Sequence, residues 1–81
     1  MDNNWTVYAH INKIDGGKTY VGITSNVEQR WNPSGYKSCT RFYSAIEEYG
    51  WDNFDHIILI SGICRELASI IEIELIKKFN L

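Results

Sequence analysis

The sequence lacks an excess of positive charge. Its eight Lys and Arg residues stand against ten Asp and Glu residues, for a net charge of −2, and no basic stripe runs along the chain. This balance argues against a protein that binds nucleic acid through its whole surface, because such proteins are strongly basic. Any affinity for phosphate has to come from a local patch or from another module.

The sequence also lacks metal-binding cysteine patterns, long apolar runs and a leader-like N-terminus. Cys39 and Cys64 have no CxxC spacing and no paired histidines nearby, which argues against a zinc site and favours two reduced thiols, with one disulfide as the alternative. The longest apolar run, residues 57–60, is too short to cross a bilayer. The start, MDNNWTVY, has neither a basic segment nor an apolar run. We therefore expect no secretory leader, no membrane partner and a soluble, cytoplasmic protein.

What the chain has is enough apolar material for one small domain. Hydrophobic residues make up 44% of its 81 residues and aromatic residues make up 14%. These proportions argue against disorder and predict a modest core. We expect a single domain over residues 1–81, whose oligomeric state the sequence leaves open.

Two runs of alternating apolar and polar residues, 5–12 and 18–23, predict a β-hairpin. The linking Asp-Gly-Gly at 15–17 tolerates the positive φ that tight turns require. With a loop over 13–17, His10 pairs with Tyr20 and Tyr8 pairs with Gly22. One sheet face then gathers four polar or aromatic side chains beside the open space at Gly22: Tyr8, His10, Lys18 and Tyr20. By alternation alone, this face resembles an ordinary half-exposed hairpin surface.

The middle of the chain predicts two shorter helices and a third strand. Ser25 and Glu28 fit a capping box for a helix that ends near Trp31. Ser38 or Thr40 can cap the second helix, which has a core stripe at i, i+3, i+4 and i+7: Phe42, Ala45, Ile46 and Tyr49. Residues 54–60 predict a strand that is apolar on both faces and is therefore covered by helices on both sides. In the loop over 32–38, Tyr36 and Lys37 are candidates for contacts with a phosphate or a base.

The last helix, predicted over residues 64–79, carries a carboxylate on its apolar face. Ala68, Ile71, Leu75 and Phe79 recur at three- and four-residue steps and define the predicted buried face, and Glu72 lies within the same arc. A carboxylate there is costly unless it is paired or binds a metal. A glutamate at the edge of the core, paired with Lys or Arg, is the alternative. The elements together predict an α+β fold with a three-stranded antiparallel sheet flanked by three helices.

The tripeptides at 6–8, Thr-Val-Tyr, and at 20–22, Tyr-Val-Gly, resemble the paired tripeptides of the GIY-YIG nuclease superfamily. That superfamily includes a bacterial excision-repair incision subunit, phage and intron homing endonucleases, and some restriction enzymes. The resemblance covers nearly the whole chain and is greatest to the phage and homing-endonuclease branch. Further matching positions are Arg30-Trp31, Tyr43-Ser44-Ala45-Ile46, residues 49–54, Ala68, Glu72, Ile76 and Asn80. Thr6 departs from the family, which has glycine at the start of the first tripeptide.

The resemblance implies a metal-dependent DNA endonuclease with one active site per monomer. Glu72 matches the glutamate that holds the single divalent ion, here Mg²⁺ or Mn²⁺. Arg30 matches the arginine that contacts the scissile phosphate, and Asn80 matches the asparagine near the end of the last helix. We expect Lys37, Arg41 and Asn80 to contact substrate.

Three residues are candidates for the general base that takes a proton from water. The family pattern favours a tyrosine, Tyr8 or Tyr20, although a tyrosine ordinarily ionises only near pH 10. Lys18 lies two residues from Tyr20 on the same strand face and supplies a positive field that favours ionisation. His10, opposite Tyr20, belongs to the residue type that titrates near neutral pH and remains the second choice.

A second class of function stays open from the sequence. The domain would be a catalytically silent nucleic-acid or protein interaction module that retains the fold, and the acidic net charge favours it. The four residues Tyr8, Tyr20, Arg30 and Glu72 together favour the enzyme, because a scaffold does not need all of them. No DNA-recognition segment follows the last predicted helix, so we expect weak DNA binding of low specificity or a fused or separate DNA-targeting module.

Overall fold

The structure, a computed structural model, describes residues 3–32, 36, 38–79 and 81. These residues form the predicted α+β fold, a three-stranded antiparallel sheet with three α-helices. In chain order the elements are β1 (Trp5–Asn12), β2 (Thr19–Thr24), α1 (Val27–Arg30), α2 (Thr40–Tyr49), β3 (Phe54–Ile63) and α3 (Arg65–Phe79), with a short 3-10 turn at Trp51–Asn53 before β3. None of the helices among the described residues has both the length and the apolar character needed to span a membrane.

The sheet order is β2-β1-β3, so the first strand of the chain is the central one. The predicted hairpin register is confirmed: Tyr8 pairs with Gly22 and His10 pairs with Tyr20. At the turn, Gly16 and Gly17 have φ of 58° and 79°, values that glycine adopts without steric cost. On its other side β1 pairs with β3, with an irregularity near Val7.

The central position of β1 buries both of its faces. Val7 is 0% and Tyr8 is 3% exposed, although their side chains point to opposite sides of the sheet. Helix α2 covers the Tyr8 side, where the Phe42 ring stacks on His10 with centroids 5.0 Å apart. Helix α3 packs against β1 and β2, and its Arg65 lies over the ring of Trp5, on the Val7 side of β1. The half-exposed surface expected for an isolated hairpin is therefore enclosed.

Strand β3 differs from its prediction in length and in burial. It extends to Ile63 rather than ending at residue 60, and it is an edge strand of the sheet. Four consecutive apolar side chains that were expected under helices are 39–51% exposed: Ile57, Ile58, Leu59 and Ile60. The expectation of cover on both faces is wrong, because α3 packs against β1 and β2 instead.

The helix ends differ from the predicted caps. Asn26, rather than Ser25, caps α1, and its Oδ1 accepts a hydrogen bond from the Gln29 amide at 3.1 Å. Cys39 occupies the N-cap position of α2 without a side-chain hydrogen bond, one residue after the predicted Ser38, and Thr40 is the first residue of the helix. Neighbouring Ser, Asn and Thr residues are all competent caps, and only the observed backbone path selects among them.

The predicted stripe of α2 is confirmed, whereas that of α3 is confirmed only in part. Phe42, Ala45 and Ile46 are buried in a cluster with Tyr36 and Phe54. In α3, Ala68 is fully buried, and Ile71 and Leu75 are half-buried. Phe79 was expected in the core, and this is wrong, because its side chain is 61% exposed.

Candidate active site

A cleft with a volume of about 510 Å³ runs beside the edge strand β2. Its wall includes residues from both hairpin strands, α2 and α3, together with Arg30 from α1. Every predicted site residue that the structure describes lines this cleft: Tyr8, His10, Lys18, Tyr20, Arg30, Arg41 and Glu72. The two remaining predicted residues, Lys37 and Asn80, lie outside the described residues.

Gly22 is the position that gives Tyr8 its place in the cleft. A Cβ added at Gly22 would lie 2.5 Å from the Tyr8 hydroxyl oxygen and 2.7 Å from Cζ of the same ring. Real side chains do not approach so closely, so the phenol occupies the space that a side chain at residue 22 would take. The glycine of the second tripeptide is therefore required by the tyrosine of the first.

Arg30 lies against Tyr8 and is held by several groups. Its Nε–H donates to the Tyr8 hydroxyl at 3.4 Å, and its Nη2 donates to Sγ of Cys39 at 3.3 Å. The guanidinium carbon lies 4.3 Å from the centre of the Tyr36 ring, a cation–π geometry. Burial lowers the pKa of Arg30, but the hydrogen bonds to Tyr8 and Cys39 outweigh burial and leave this pKa raised. Arg30 is therefore a fixed positive charge in the cleft.

Glu72 reaches the cleft from the middle of α3. It is half-buried, and burial raises the pKa of its carboxyl above the ordinary value. Among the described residues it makes no salt bridge, since the ion pair found there joins Lys13 and Asp55. The alternative pairing of Glu72 with Lys or Arg is absent from that part of the chain, which leaves a costly carboxylate facing the cleft.

The carboxylate of Glu72 fits a metal site that uses few protein ligands. The described residues contain no group of three or more His, Cys, Asp or Glu side chains arranged to hold a metal ion. A closed zinc-type or calcium-type cage is therefore absent from the described part of the chain. Mg²⁺ is commonly bound by one or two carboxylates plus waters and substrate phosphates, which matches an isolated half-buried carboxylate in an open cleft.

Tyr20 and Lys18 lie on the same wall of the cleft, as their alternation along β2 predicts. Tyr20 is half-buried, and its ring packs on Phe42 with centroids 4.5 Å apart. The Lys18 ammonium is exposed and lies 5.8 Å from the centre of the Tyr20 ring. Lys18 is therefore within reach of Tyr20, and Arg41 is a second exposed cation at the cleft.

His10 is the most enclosed of the candidate bases. It is 1% exposed, and both ring nitrogens have partners: Nδ1 is 2.8 Å from Nδ1 of His56, and Nε2 is 2.7 Å from the Tyr36 hydroxyl. Burial lowers the pKa of His10 to about 3, with further lowering by the charges of His56 and Arg30. In this arrangement neither nitrogen is free to contact a water molecule in the cleft.

Three residues in contact with the candidates were not among the catalytic residues predicted from the sequence: Tyr36, Cys39 and His56. Tyr36 was predicted as a possible contact for a phosphate or a base; it lines the cleft, but it is only 2% exposed and its hydroxyl is engaged with His10. His56 forms a hydrogen bond with His10 through the Nδ1 atoms of the two rings. Its partner follows from the register, in which His10 faces His56 across β1 and β3. The alternation of side chains along a strand does not predict that register, because the register also depends on which strands are neighbours in the sheet.

Comparison with known families agrees with this geometry. A family model of the GIY-YIG catalytic domain matches residues 4–81. No curated protein and no solved structure matched the chain. The matched span includes every element of the sheet and all three helices. The chain therefore belongs to the GIY-YIG family, whose members form a nuclease superfamily.

Proposed function

We propose that this domain is a divalent-metal-dependent endonuclease that hydrolyses DNA phosphodiester bonds, with one active site per monomer. The observation that carries the proposal is the convergence of seven candidate residues on one cleft, with Glu72 among them. A scaffold retained only for binding has no need of a half-buried carboxylate that has no salt bridge among the described residues and lines a cleft with an arginine and two tyrosines. The domain would cut one strand per event.

The residues of the cleft divide the work of phosphodiester hydrolysis. Arg30 would donate hydrogen bonds to a non-bridging phosphate oxygen, because its guanidinium remains charged and presents a fork of donors. Lys18 and Arg41 would hold the flanking phosphates, with Lys37 and Asn80 as further proposed contacts. Glu72 would bind Mg²⁺ or Mn²⁺, and the bound ion would polarise the phosphate and stabilise the leaving oxygen.

Tyr8 is the residue that we assign to the attacking water, with Tyr20 as the alternative. Its hydroxyl lies over Gly22 and accepts a hydrogen bond from Arg30, so it is oriented and faces the cleft. In its phenolate form this oxygen would take the proton of water as the nucleophile attacks. His10 would not act directly on water, since both of its ring nitrogens are engaged in hydrogen bonds.

Targeting and location are part of the proposal. The net charge of −2 gives little general attraction to DNA. We propose that a fused or separate DNA-binding module brings the domain to its substrate, and that it acts in the cytoplasm, where phage and mobile-element nucleases meet DNA.

The first test is nicking of supercoiled plasmid by the purified domain with Mg²⁺ or Mn²⁺, with EDTA as a control. We expect metal-dependent nicking that Glu72→Gln lowers by about a hundredfold or more, a typical effect of removing an electrostatic catalytic group. The matched control is Glu74→Gln, an exposed glutamate on the same helix, which should nick at the wild-type rate.

Two outcomes would contradict the proposal. Nicking that persists in EDTA would refute the metal role of Glu72. Absence of nicking at any protein concentration, together with DNA binding that Glu72→Gln leaves unchanged, would favour the interaction module instead.

A further inference from the structure

The side chain of Arg30 comes from an element that does not fix its orientation. Helix α1 has four residues, none of them buried, and Arg30 is the last of the four. An arginine side chain has many rotamers, so holding it in one of them costs conformational entropy. A guanidinium that donates to one phosphate oxygen therefore needs support from other parts of the fold.

The ring of Tyr36 supports the flat face of the guanidinium. Cζ of Arg30 lies 4.3 Å from the centre of this ring, within the range of a cation–π contact. Tyr36 is 2% exposed. Its hydroxyl oxygen lies 2.7 Å from Nε2 of His10, and its ring meets the ring of Phe42 edge to face with centroids 4.7 Å apart. The surface beneath Arg30 is therefore anchored in the core through both the hydroxyl and the ring.

Cys39 restricts the rotation of the guanidinium within its own plane. Its Sγ accepts a hydrogen bond from Nη2 of Arg30 at 3.3 Å, and the Tyr8 hydroxyl accepts one from Nε at 3.4 Å. The donors of a guanidinium have a fixed fork geometry. Contacts at two nitrogens and on one face therefore define both the plane of the group and its direction.

Tyr36 and Cys39 belong to one structural unit at the start of α2. The Cys39 amide donates to the Tyr36 carbonyl at 2.8 Å, and the Tyr43 amide donates to the Cys39 carbonyl at 2.8 Å. Cys39 is the N-cap residue of α2, and Tyr36 is part of the core cluster that α2 forms with Phe54. The packing of α2 on the sheet therefore sets both contacts to Arg30.

We propose that Tyr36 and Cys39 are positioning residues that together hold the Arg30 guanidinium in the orientation that donates to the scissile phosphate. The inference rests on the proposed endonuclease function and deepens it. Neither residue would touch the phosphate, because each acts through Arg30. The buried His10 then has a structural task, which is to hold the hydroxyl of Tyr36.

Positioning and charge make separate contributions to such a site. An Arg30 that has lost one support still carries its charge in the cleft, so it still attracts DNA phosphate. Its hydrogen bonds to the phosphate in the transition state depend on direction and are lost more readily. Loss of Tyr36 or Cys39 should therefore lower the rate of the chemical step and leave DNA affinity unchanged.

Nicking kinetics test this separation at Cys39. We expect Cys39→Ala to lower kcat by about tenfold to a hundredfold, the loss expected for a misplaced catalytic group. The KM for plasmid and the salt dependence of DNA binding should stay at their wild-type values. Cys39→Ser supplies another acceptor and should recover most of the rate. The control is Cys64→Ala, at a half-buried cysteine outside the cleft. A wild-type kcat in Cys39→Ala would overturn the role of Cys39.

Two substitutions of Tyr36 test the aromatic face. Tyr36→Phe keeps the ring and loses the hydroxyl bonded to His10, so we expect lower stability with most of kcat retained. Tyr36→Leu removes the ring and should lower kcat as Cys39→Ala does. Urea unfolding verifies that Tyr36→Leu is folded under the assay conditions. If it is unfolded, the Cys39 variants decide the proposal.

Nitrogen-15 relaxation of the arginine Nε–H groups measures the positioning without any measurement of activity. The chain has three arginines, Arg30, Arg41 and Arg65, and the signal of Arg30 is the one that Arg30→Lys removes. We expect its order parameter to lie above about 0.6 in the wild type and below about 0.6 in Cys39→Ala. The other two signals should not change. An Arg30 that stays equally ordered in Cys39→Ala would overturn the proposal.

A double-mutant cycle separates the positioning role from the function itself. Cys39→Ala should not lower the rate any further in an Arg30→Ala background, because Cys39 acts only through Arg30. The same fold loss in both backgrounds would overturn the positioning role and leave the endonuclease intact. A wild-type domain that cuts no DNA would refute the proposed function, and the order parameter of Arg30 would then decide by itself whether Cys39 holds the guanidinium.

Discussion

At the scale of single residues, the site depends on the absence of a side chain at Gly22. Gly22 does not have a positive φ, so glycine is required there for space rather than for backbone freedom. Tyr8 fills that space, and Arg30 then reaches the Tyr8 hydroxyl. The two tripeptides of the hairpin are therefore coupled by sterics as well as by strand register.

We predict that Gly22→Ala displaces Tyr8 and lowers nicking by about a hundredfold, the loss expected when a reacting group moves by about 1 Å. The crowding should also cost roughly 1–3 kcal/mol of unfolding free energy. Gly17→Ala is the control: its φ is +79° and its added Cβ meets nothing within 4 Å, so it should lower stability but not the rate. Full activity in Gly22→Ala would show that the observed position of Tyr8 is not needed.

Glu72 should lower the stability of the fold at neutral pH. Burial raises its pKa in the folded state, so the folded protein binds this proton more tightly than the unfolded chain does. Stability then rises as pH falls through the raised pKa, and the full cost of the ionised carboxylate is present above it. We predict that Glu72→Gln unfolds at a higher denaturant concentration than the wild type at pH 7.

The stability gain of Glu72→Gln should shrink as the pH falls and vanish below about 4.5, where the carboxyl is protonated in both states. Urea titrations at several pH values measure it, with the exposed Glu74→Gln as the comparison. A Glu72→Gln variant that is less stable at pH 7 would mean that the carboxylate has a stabilising partner.

At the scale of elements, β3 has two different halves. Phe54 at its start is 3% exposed and belongs to the core cluster with α2, whereas Ile58 in its middle is 51% exposed. We predict that Phe54→Ala costs about 3–5 kcal/mol, as for other buried aromatic side chains. Ile58→Ala should cost less than about 1 kcal/mol, since it leaves no cavity.

Chemical denaturation of the two variants measures this contrast within one strand. Equal losses would show that the middle of β3 is covered in solution, either by a second copy or by another segment. The protein concentration dependence of the unfolding midpoint then distinguishes the two explanations, because only association makes the midpoint depend on concentration.

At the scale of the whole molecule, the charge is acidic but the cleft is not. Three cationic side chains line it among the described residues, Lys18, Arg30 and Arg41, against a net charge of −2. We predict weak duplex binding, with a dissociation constant of about 10⁻⁴ M, and a slope of log affinity against log salt of about −2.7 for three phosphate contacts.

Fluorescence anisotropy over a range of salt concentrations measures that slope. Lys18→Ala and Arg41→Ala should each reduce its magnitude by about 0.9. Lys77→Ala, on an exposed turn of α3, should leave it unchanged. A much steeper wild-type slope would mean that DNA follows a longer path than this cleft.

The sequence by itself determined the hairpin, its register and the residues that face one another on it. Local alternation and the Asp-Gly-Gly turn are sufficient for this, because strand side chains alternate strictly and a short loop sets the pairing. The same local logic placed Glu72 on the apolar arc of the last helix. Of these residues, Tyr8, His10, Tyr20, Gly22 and Glu72 line one cleft in the structure.

Only the tertiary structure decided which strand is central and what covers each face. The order β2-β1-β3 brings His56 beside His10 and leaves residues 57–60 exposed at an edge. It also buries the Tyr36 hydroxyl against His10. These facts join segments 26 and 46 residues apart. No local period in the sequence encodes such contacts, because they depend on how the packed elements share one core.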